Sequence, residues 1–177
     1  MIREIVRYGS KVLRRKALPV TSVDAEVNAL IQDLFDTLAE ADGVGLAAPQ
    51  IGVSRRVIVV DISAAEATQP PMALVNPAID AAEGTATAEE GCLSIPDLYG
   101  EVPRFTEVTI SALDHEGCAF ELSAEGFFAR VLQHEIDHLD GRLFIDHMPP
   151  LRRQLLRGPL KRIRKEGEEW DRRHSSH

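Results

Sequence analysis

The sequence predicts an α+β fold, with antiparallel β-sheets packed around a central helix that carries an H-E-x-x-H motif and a further helix at the C-terminus. Two observations lead there. Apolar residues recur at helical spacing in two long segments, and the β-branched runs around them come mostly as hairpins instead of alternating with helices. A length of 177 residues fits one domain, able to bury roughly two thirds of its unfolded surface. A hydrophobic content of 44% excludes disordered and fibrous classes.

The first helix is expected over 24–42, where Val27, Leu30, Ile31, Leu34 and Leu38 share a face. Ser22 or Asp24 can cap its start, and Gly43 stands where a C-terminal glycine belongs. Val57 to Ile62 reads as a short buried strand. Val108, Ile110 and Ala112 alternate within 106–113, and the turn Asp114-His115-Glu116-Gly117 leads to a second strand near 119–122, completing a hairpin. Ser123 is the predicted N-cap of a second helix that carries Phe127, Phe128, Val131 and Leu132 and runs to His138 before Gly141. Leu143 to Ile145 are expected to return as a strand. Pro149 and Pro150 open a terminal helix that Gly158-Pro159 should break or kink, and fraying is expected from His174 to His177. The expected division is a catalytic domain over 1–148 and a helical extension of it over 149–177.

Charge and cysteine content narrow the class. A net charge of −8 argues against whole-surface nucleic-acid binding. Between Leu151 and Lys165, however, stand seven basic residues and no acid, which suits a solvated helical face or an anionic partner. No apolar run approaches the ~20 residues of a membrane span, and Met1-Ile2-Arg3-Glu4-Ile5 does not resemble a secretory signal. A cytoplasmic protein with no membrane partner is expected, and in that compartment Cys92 and Cys118 are read as a ligand, a nucleophile or a buried apolar group, not as a disulfide.

The sharpest chemical signal is His134-Glu135-Ile136-Asp137-His138. Helical residues four apart share a face, so both imidazoles can reach one cation, and Glu135 stands beside it, able to take a proton from water there. A third ligand does not follow downstream. Gly141 fits one protease extension of the motif, but Phe144 occupies the place of its third histidine, and the later glutamates lie in a charged tail. An upstream ligand is needed, since catalytic sites of this sort keep three protein ligands and an open position. Cys92 in Glu90-Gly91-Cys92-Leu93-Ser94 is the best candidate, although by itself it also reads as a small buried hydrophobe. A thiolate with two imidazoles suits zinc, iron, nickel or cobalt and is too soft for calcium or magnesium. The glycine-rich Gly43 to Gln50 contains G-x-G-x-x-A, but it follows a helix and carries Pro49, so a dinucleotide site is not expected.

With three segments in view, the sequence resembles the peptide deformylases. The family motifs G-x-G-L-A-A-x-Q, E-G-C-L-S and Q-H-E-x-D-H match Gly43 to Gln50, Glu90 to Ser94 and Gln133 to His138, in order and without departure. The similarity looks continuous from about Ile5 to His147, including Leu13-Arg14 and Val102-Pro103-Arg104. It implies removal of the formyl group from the N-terminal formyl-methionine of nascent polypeptides, with release of formate. It also implies Cys92, His134 and His138 as ligands of one divalent metal, Fe(2+) in the cell, with Zn(2+) or Ni(2+) able to take the same place. Glu135 is implied as general acid/base, Gln50 and the Leu93 N–H as oxyanion donors, and Gly45 as a substrate-backbone contact. Phe127, Arg130 and Val131 lie on the His134 face of the helix and, with Val44, can line a slot for an unbranched side chain such as methionine; Phe127 and Val131 are equally plausible as core. Arg104 contacts substrate or pairs with an acid of the fold, and Asp137 can orient a ligand. The basic stretch fits the ribosome contact that the C-terminal helix makes in related bacterial enzymes. The competing readings are an H-E-x-x-H metalloprotease or amidase, and a binding module whose structural metal takes His115 or His147 as a fourth ligand.

Overall fold

The computed structural model describes residues 1–175; Ser176 and His177, the end of the stretch expected to fray, lie outside the described residues. Among the described residues, seven strands form two antiparallel sheets. The larger contains β1 (Gly45–Ala47), β2 (Val57–Val60), β3 (Met72–Glu83), β6 (Glu107–Leu113) and β7 (Ala119–Glu125), in the order β1-β2-β3-β6-β7. The smaller is the hairpin of β4 (Ala86–Cys92) and β5 (Ile95–Arg104). Helix α1 (Ala25–Ala41) lies on one face of the large sheet and α2 (Gly126–Leu139) on the other.

The apolar run of β2 follows from this sandwich. Ile58 and Val60 pack with Phe128, Val131, Leu132 and Ile136 of α2, while Val57 and Val59 pack with Val27, Ile31, Leu34 and Leu38 of α1. Covered on both faces, the strand has no position left for a polar residue. The α1 start is as predicted, with the Asp24 carboxylate accepting from the Val27 amide at 3.0 Å. Its end is not. Asp42, not Gly43, takes the left-handed conformation, with φ of 53°. The predicted hairpin forms as β6 and β7, paired from Glu107↔Glu125 to Leu113↔Ala119.

Three further expectations are corrected. Ser123 lies within β7, so α2 starts two residues later than predicted, with Glu125 as its N-cap. Phe144–His147 form a 3-10 turn instead of a strand. Buried Leu143, Phe144 and Ile145 pack with Ile95 and Val102 of β5 and Leu160 and Ile163 of the last helix, so side-chain burial holds this segment in place. The C-terminal region breaks at Leu156 between α3 (Pro150–Leu155) and α4 (Arg157–His174), just before Gly158-Pro159. Helix α4 continues to His174, with Ser175 as its C-cap.

Candidate metal centre

Helix α2 places its chemistry by spacing alone. His134 and His138 are one turn apart, their ring centroids 5.1 Å apart, and the bend after β4 brings Cys92 to the same point. Cys92 Sγ lies 3.4 Å from His138 Nε2, and the three potential ligand atoms are all within 4.8 Å of one another. Among the described residues this is the one such cluster. One sulfur and two imidazole nitrogens, brought together from distant parts of the chain, fit a soft or borderline divalent cation. His115 sits exposed in the β6–β7 turn beside Glu116, and His147 bonds Asp137, so neither supplies a fourth ligand.

The electrostatics favour deprotonated sulfur. Burial alone would push the Cys92 thiol up, but the imidazoles of His138 and His134 overcome it and hold it well below its ordinary value. Burial would likewise lower His134, yet its contacts with Cys92 and Glu90 raise it well above the usual range. Glu135 is 4% exposed, and burial raises its carboxyl against the opposing pull of His134 and His138. Glu135 Oε2 and His138 Nδ1 are buried without a hydrogen-bond partner among the described residues. A buried carboxylate oxygen left open beside three ligand atoms is what a water or substrate proton would need.

The acid that orients a ligand is not the one the sequence suggested. Glu90 Oε1 meets His134 Nδ1 at 2.9 Å, leaving Nε2 for the cation. Glu90 also accepts from Arg104 Nε and Nη2, both at 2.9 Å, and from Arg130 Nη1 at 2.7 Å. Burial would raise its carboxyl, but His134 and Arg104 hold it far below the usual carboxylate range. Asp137 instead accepts from Arg104 Nη1 at 2.5 Å and pairs with His147 Nε2 at 2.8 Å, two steps removed from the ligand. Of the two roles open to Arg104, substrate contact or partner to an acid of the fold, the structure has the second: it lies in a buried ion-pair network, 6% exposed and outside the cleft lining. Sequence reasoning missed Glu90 as a partner. Its position directly before Gly91-Cys92 was the available signal, but a carboxylate 44 residues from His134 announces no contact.

The remaining predicted residues converge on a cleft of about 570 Å³ lined by Val44, Gly45, Gln50, Cys92, Leu93, Phe127, Arg130, Val131, His134 and Glu135, among others. Phe127 is half-exposed in it and Val131 buried. Arg130 lines the cleft, and its guanidinium donates to Glu90 and to the carbonyls of Val102 and Ala86. Gln50 is fixed at both ends. Its Oε1 accepts from the Ala47 amide at 3.0 Å, while Nε2 donates to Ser94 Oγ at 3.1 Å and lies 3.5 Å from Cys92 Sγ. Gly45 is glycine for want of space, because a Cβ there would lie 2.7 Å from Glu135 Oε1. Phe144, in place of the third histidine of the protease pattern, stacks on His134 with centroids 6.3 Å apart.

Comparison with known proteins gives a consistent result. A family model described as polypeptide deformylase matches residues 2–154. A peptide deformylase of Alkalilimnicola ehrlichii is 45% identical over 166 residues, covering 94% of this chain and 93% of that one. Another, of Desulfitobacterium hafniense, is 48% identical over 145 residues, covering 82% and 93%. Among solved structures, peptide deformylase from Thermus thermophilus aligns with a TM-score of 0.87 at 43% identity, covering 94% of this chain and 99% of that chain. The enzyme from Synechococcus elongatus in complex with actinonin aligns at 0.80 with 38% identity, covering 91% and 85%.

Proposed function

We propose that Cys92, His134 and His138 hold the metal of this chain, which belongs to the peptide deformylase family and is accordingly a metal-dependent hydrolase that removes the formyl group from the N-terminal methionine of new polypeptides, releasing formate. The observation that carries the ligand assignment is the convergence of one sulfur and two imidazoles beside the buried, unpartnered oxygen of Glu135. When bound, the cation supplies Lewis-acid polarisation of the formyl carbonyl and a water acidic enough to attack at neutral pH. Ferrous iron is the proposed cellular ion, with zinc or nickel able to take the same ligands.

Glu135 takes the proton from the attacking water and delivers it to the departing methionine amine. Gln50 Nε2, held by Ser94, and the Leu93 N–H donate to the carbonyl oxygen as negative charge gathers there. The substrate main chain lies along the outer edge of β1, a terminal strand of its sheet, where Gly45 presents its backbone. Its methionine side chain enters between Val44, Phe127, Val131 and the Arg130 stem. Residues 1–148 make up the catalytic domain and 149–177 its helical extension, of which Leu160 and Ile163 pack on that domain.

The substrate is a chain just leaving the ribosome, so the enzyme works in the cytoplasm; no helix among the described residues is long and apolar enough to cross a membrane. Arg157, Lys161 and Lys165 stand exposed along α4, compatible with ribosomal RNA as a partner. Charge reversal at these three positions should abolish ribosome co-sedimentation at low salt; retention would exclude that contact. For the activity itself, the test is formate release from a formyl-methionyl peptide by the parent and by Glu135→Ala. Near-parental formate release by the variant would remove Glu135 from the reaction. New internal cleavage without formate would indicate a protease.

A further inference from the structure

The N-terminal segment does more than cover the core. Three consecutive residues each reach the oxyanion side of the cleft. The Val6 amide donates to the Gln50 carbonyl at 2.8 Å, the Tyr8 amide to the Ser94 carbonyl at 2.9 Å, and Arg7 Nη1 to the Leu93 carbonyl at 2.5 Å. Arg7 is the only side chain among these donors, and it lies in the cleft wall.

We propose that Arg7 is a positioning residue that fixes the turn between Cys92 and Ser94, and so the aim of the Leu93 N–H and of Gln50; the proposal rests on the oxyanion roles given to those two groups above. The turn needs such a hold. It is a two-residue connection between β4 and β5, with Cys92 pairing Ile95 across it after a register shift. Ligation at Cys92 restrains one end, and the Tyr8 amide and Gln50 Nε2 hold Ser94 at the other. Between them, the charge-assisted bond from Arg7 to the Leu93 carbonyl restrains rotation of the Leu93–Ser94 peptide and with it the residue that carries the donor, and a small misplacement of a donor is enough to cost much of its effect.

Arg7 is in turn seated by α4 through backbone contact. A Cβ on Gly167 would run into the Ser10 nitrogen and the Tyr8 and Arg7 carbonyl oxygens, and a Cβ on Gly9 would run into the Arg164 carbonyl. The ion pair from Arg7 Nε to Glu166, at 3.7 Å and with Glu166 60% exposed, adds little to this. The terminal helix therefore buttresses the strap that holds the oxyanion side of the cleft.

The test uses metal-loaded protein carrying Arg7→Ala or Arg7→Lys, with kcat and KM on a formyl-methionyl peptide, metal content, and amide hydrogen exchange across 91–95. Arg7→Ala should lower kcat about tenfold, ~1.4 kcal/mol of barrier, leave KM within about threefold and the metal content unchanged, and speed exchange in that segment. Arg7→Lys should restore most of kcat, because a single carbonyl needs one donor and no planar fork. Unchanged exchange together with unchanged kcat overturns the proposal. Faster exchange with unchanged kcat keeps the clamp but overturns the oxyanion roles, and the positioning role with them. A loss confined to KM that disappears with a C-terminally amidated peptide overturns it in favour of a substrate-carboxylate contact.

Discussion

Replacing Glu90 with alanine removes the anion at the centre of the buried network, and its cost separates into two measurable parts. The first is stability. Glu90 accepts three guanidinium hydrogen bonds, two from Arg104 and one from Arg130. Without it Arg130 still reaches the Val102 and Ala86 carbonyls, but Arg104 keeps only Asp137. Breaking a buried pair by deleting one partner typically costs ~3–5 kcal/mol, and the surviving Asp137 places the expected loss at the lower end, about 3 kcal/mol. A domain stable by ~5–15 kcal/mol still folds. The second part is metal affinity, because His134 loses the acceptor that fixes its tautomer and ring. Loss of such a partner weakens binding roughly 10–100-fold. Urea unfolding of metal-free protein reads the first part, and competition with a chromophoric chelator reads the second. Glu90→Gln retains an acceptor for His134 but not the charge, so it should recover most of the affinity and little of the stability. Parental metal affinity in Glu90→Ala would refute the orienting role.

Gly45→Ala should act on the reaction and hardly on folding. The new methyl would lie 2.7 Å from Oε1 and 2.8 Å from Cγ of Glu135 and must push that side chain aside. Steady-state kinetics should show kcat lowered roughly a hundredfold at unchanged metal content; retained kcat would mean that Glu135 does not need its present position. Asp146 predicts a pH dependence. Burial would raise its carboxyl, but Arg14 and the Leu143 amide hold it below its ordinary 3.8. A depressed folded value means that the stabilisation is complete above the unfolded value and fades as pH falls through the folded one. Asp146→Asn should therefore lose about 1 kcal/mol at neutral pH, and urea unfolding from pH 7 to 3 should show the two proteins converging only below about pH 4. A constant difference would mean that charge is not what Asp146 contributes.

The parts of the fold legible in the sequence are those where burial imposes a period. Helix α1, the body of α2, β2 and the β6–β7 hairpin each bury a defined face, and apolar residues mark it. Strands β3, β4 and β5 left no such trace. The second half of β3 is exposed, β4 runs Ala-Thr-Ala-Glu-Glu-Gly-Cys with mostly exposed side chains, and β5 contains Pro96 and Pro103, which argue against a strand. The Gly43–Gln50 loop likewise hid β1, whose three residues are too few to show alternation. At the site, His134, Glu135 and His138 were legible as chemistry because one helix spaces them. Cys92 was a candidate by elimination that the family motifs singled out, since it comes from β4, far from the helix in the chain. The roles of Glu90 and Arg104 depend on which buried charges meet across three elements, and local spacing does not encode that. Arg7 lies outside every motif and depends on the same kind of contact.

Every role assigned to this cleft depends on a thiolate and two imidazoles sharing one cation. X-ray absorption of zinc-loaded protein measures this directly. The expected first coordination shell contains one sulfur at ~2.3 Å and two imidazole nitrogens at ~2.0–2.1 Å, with the remaining position filled by a light atom, and the sulfur contribution should vanish in Cys92→Ser. A shell of nitrogen and oxygen alone in the parent protein would contradict it.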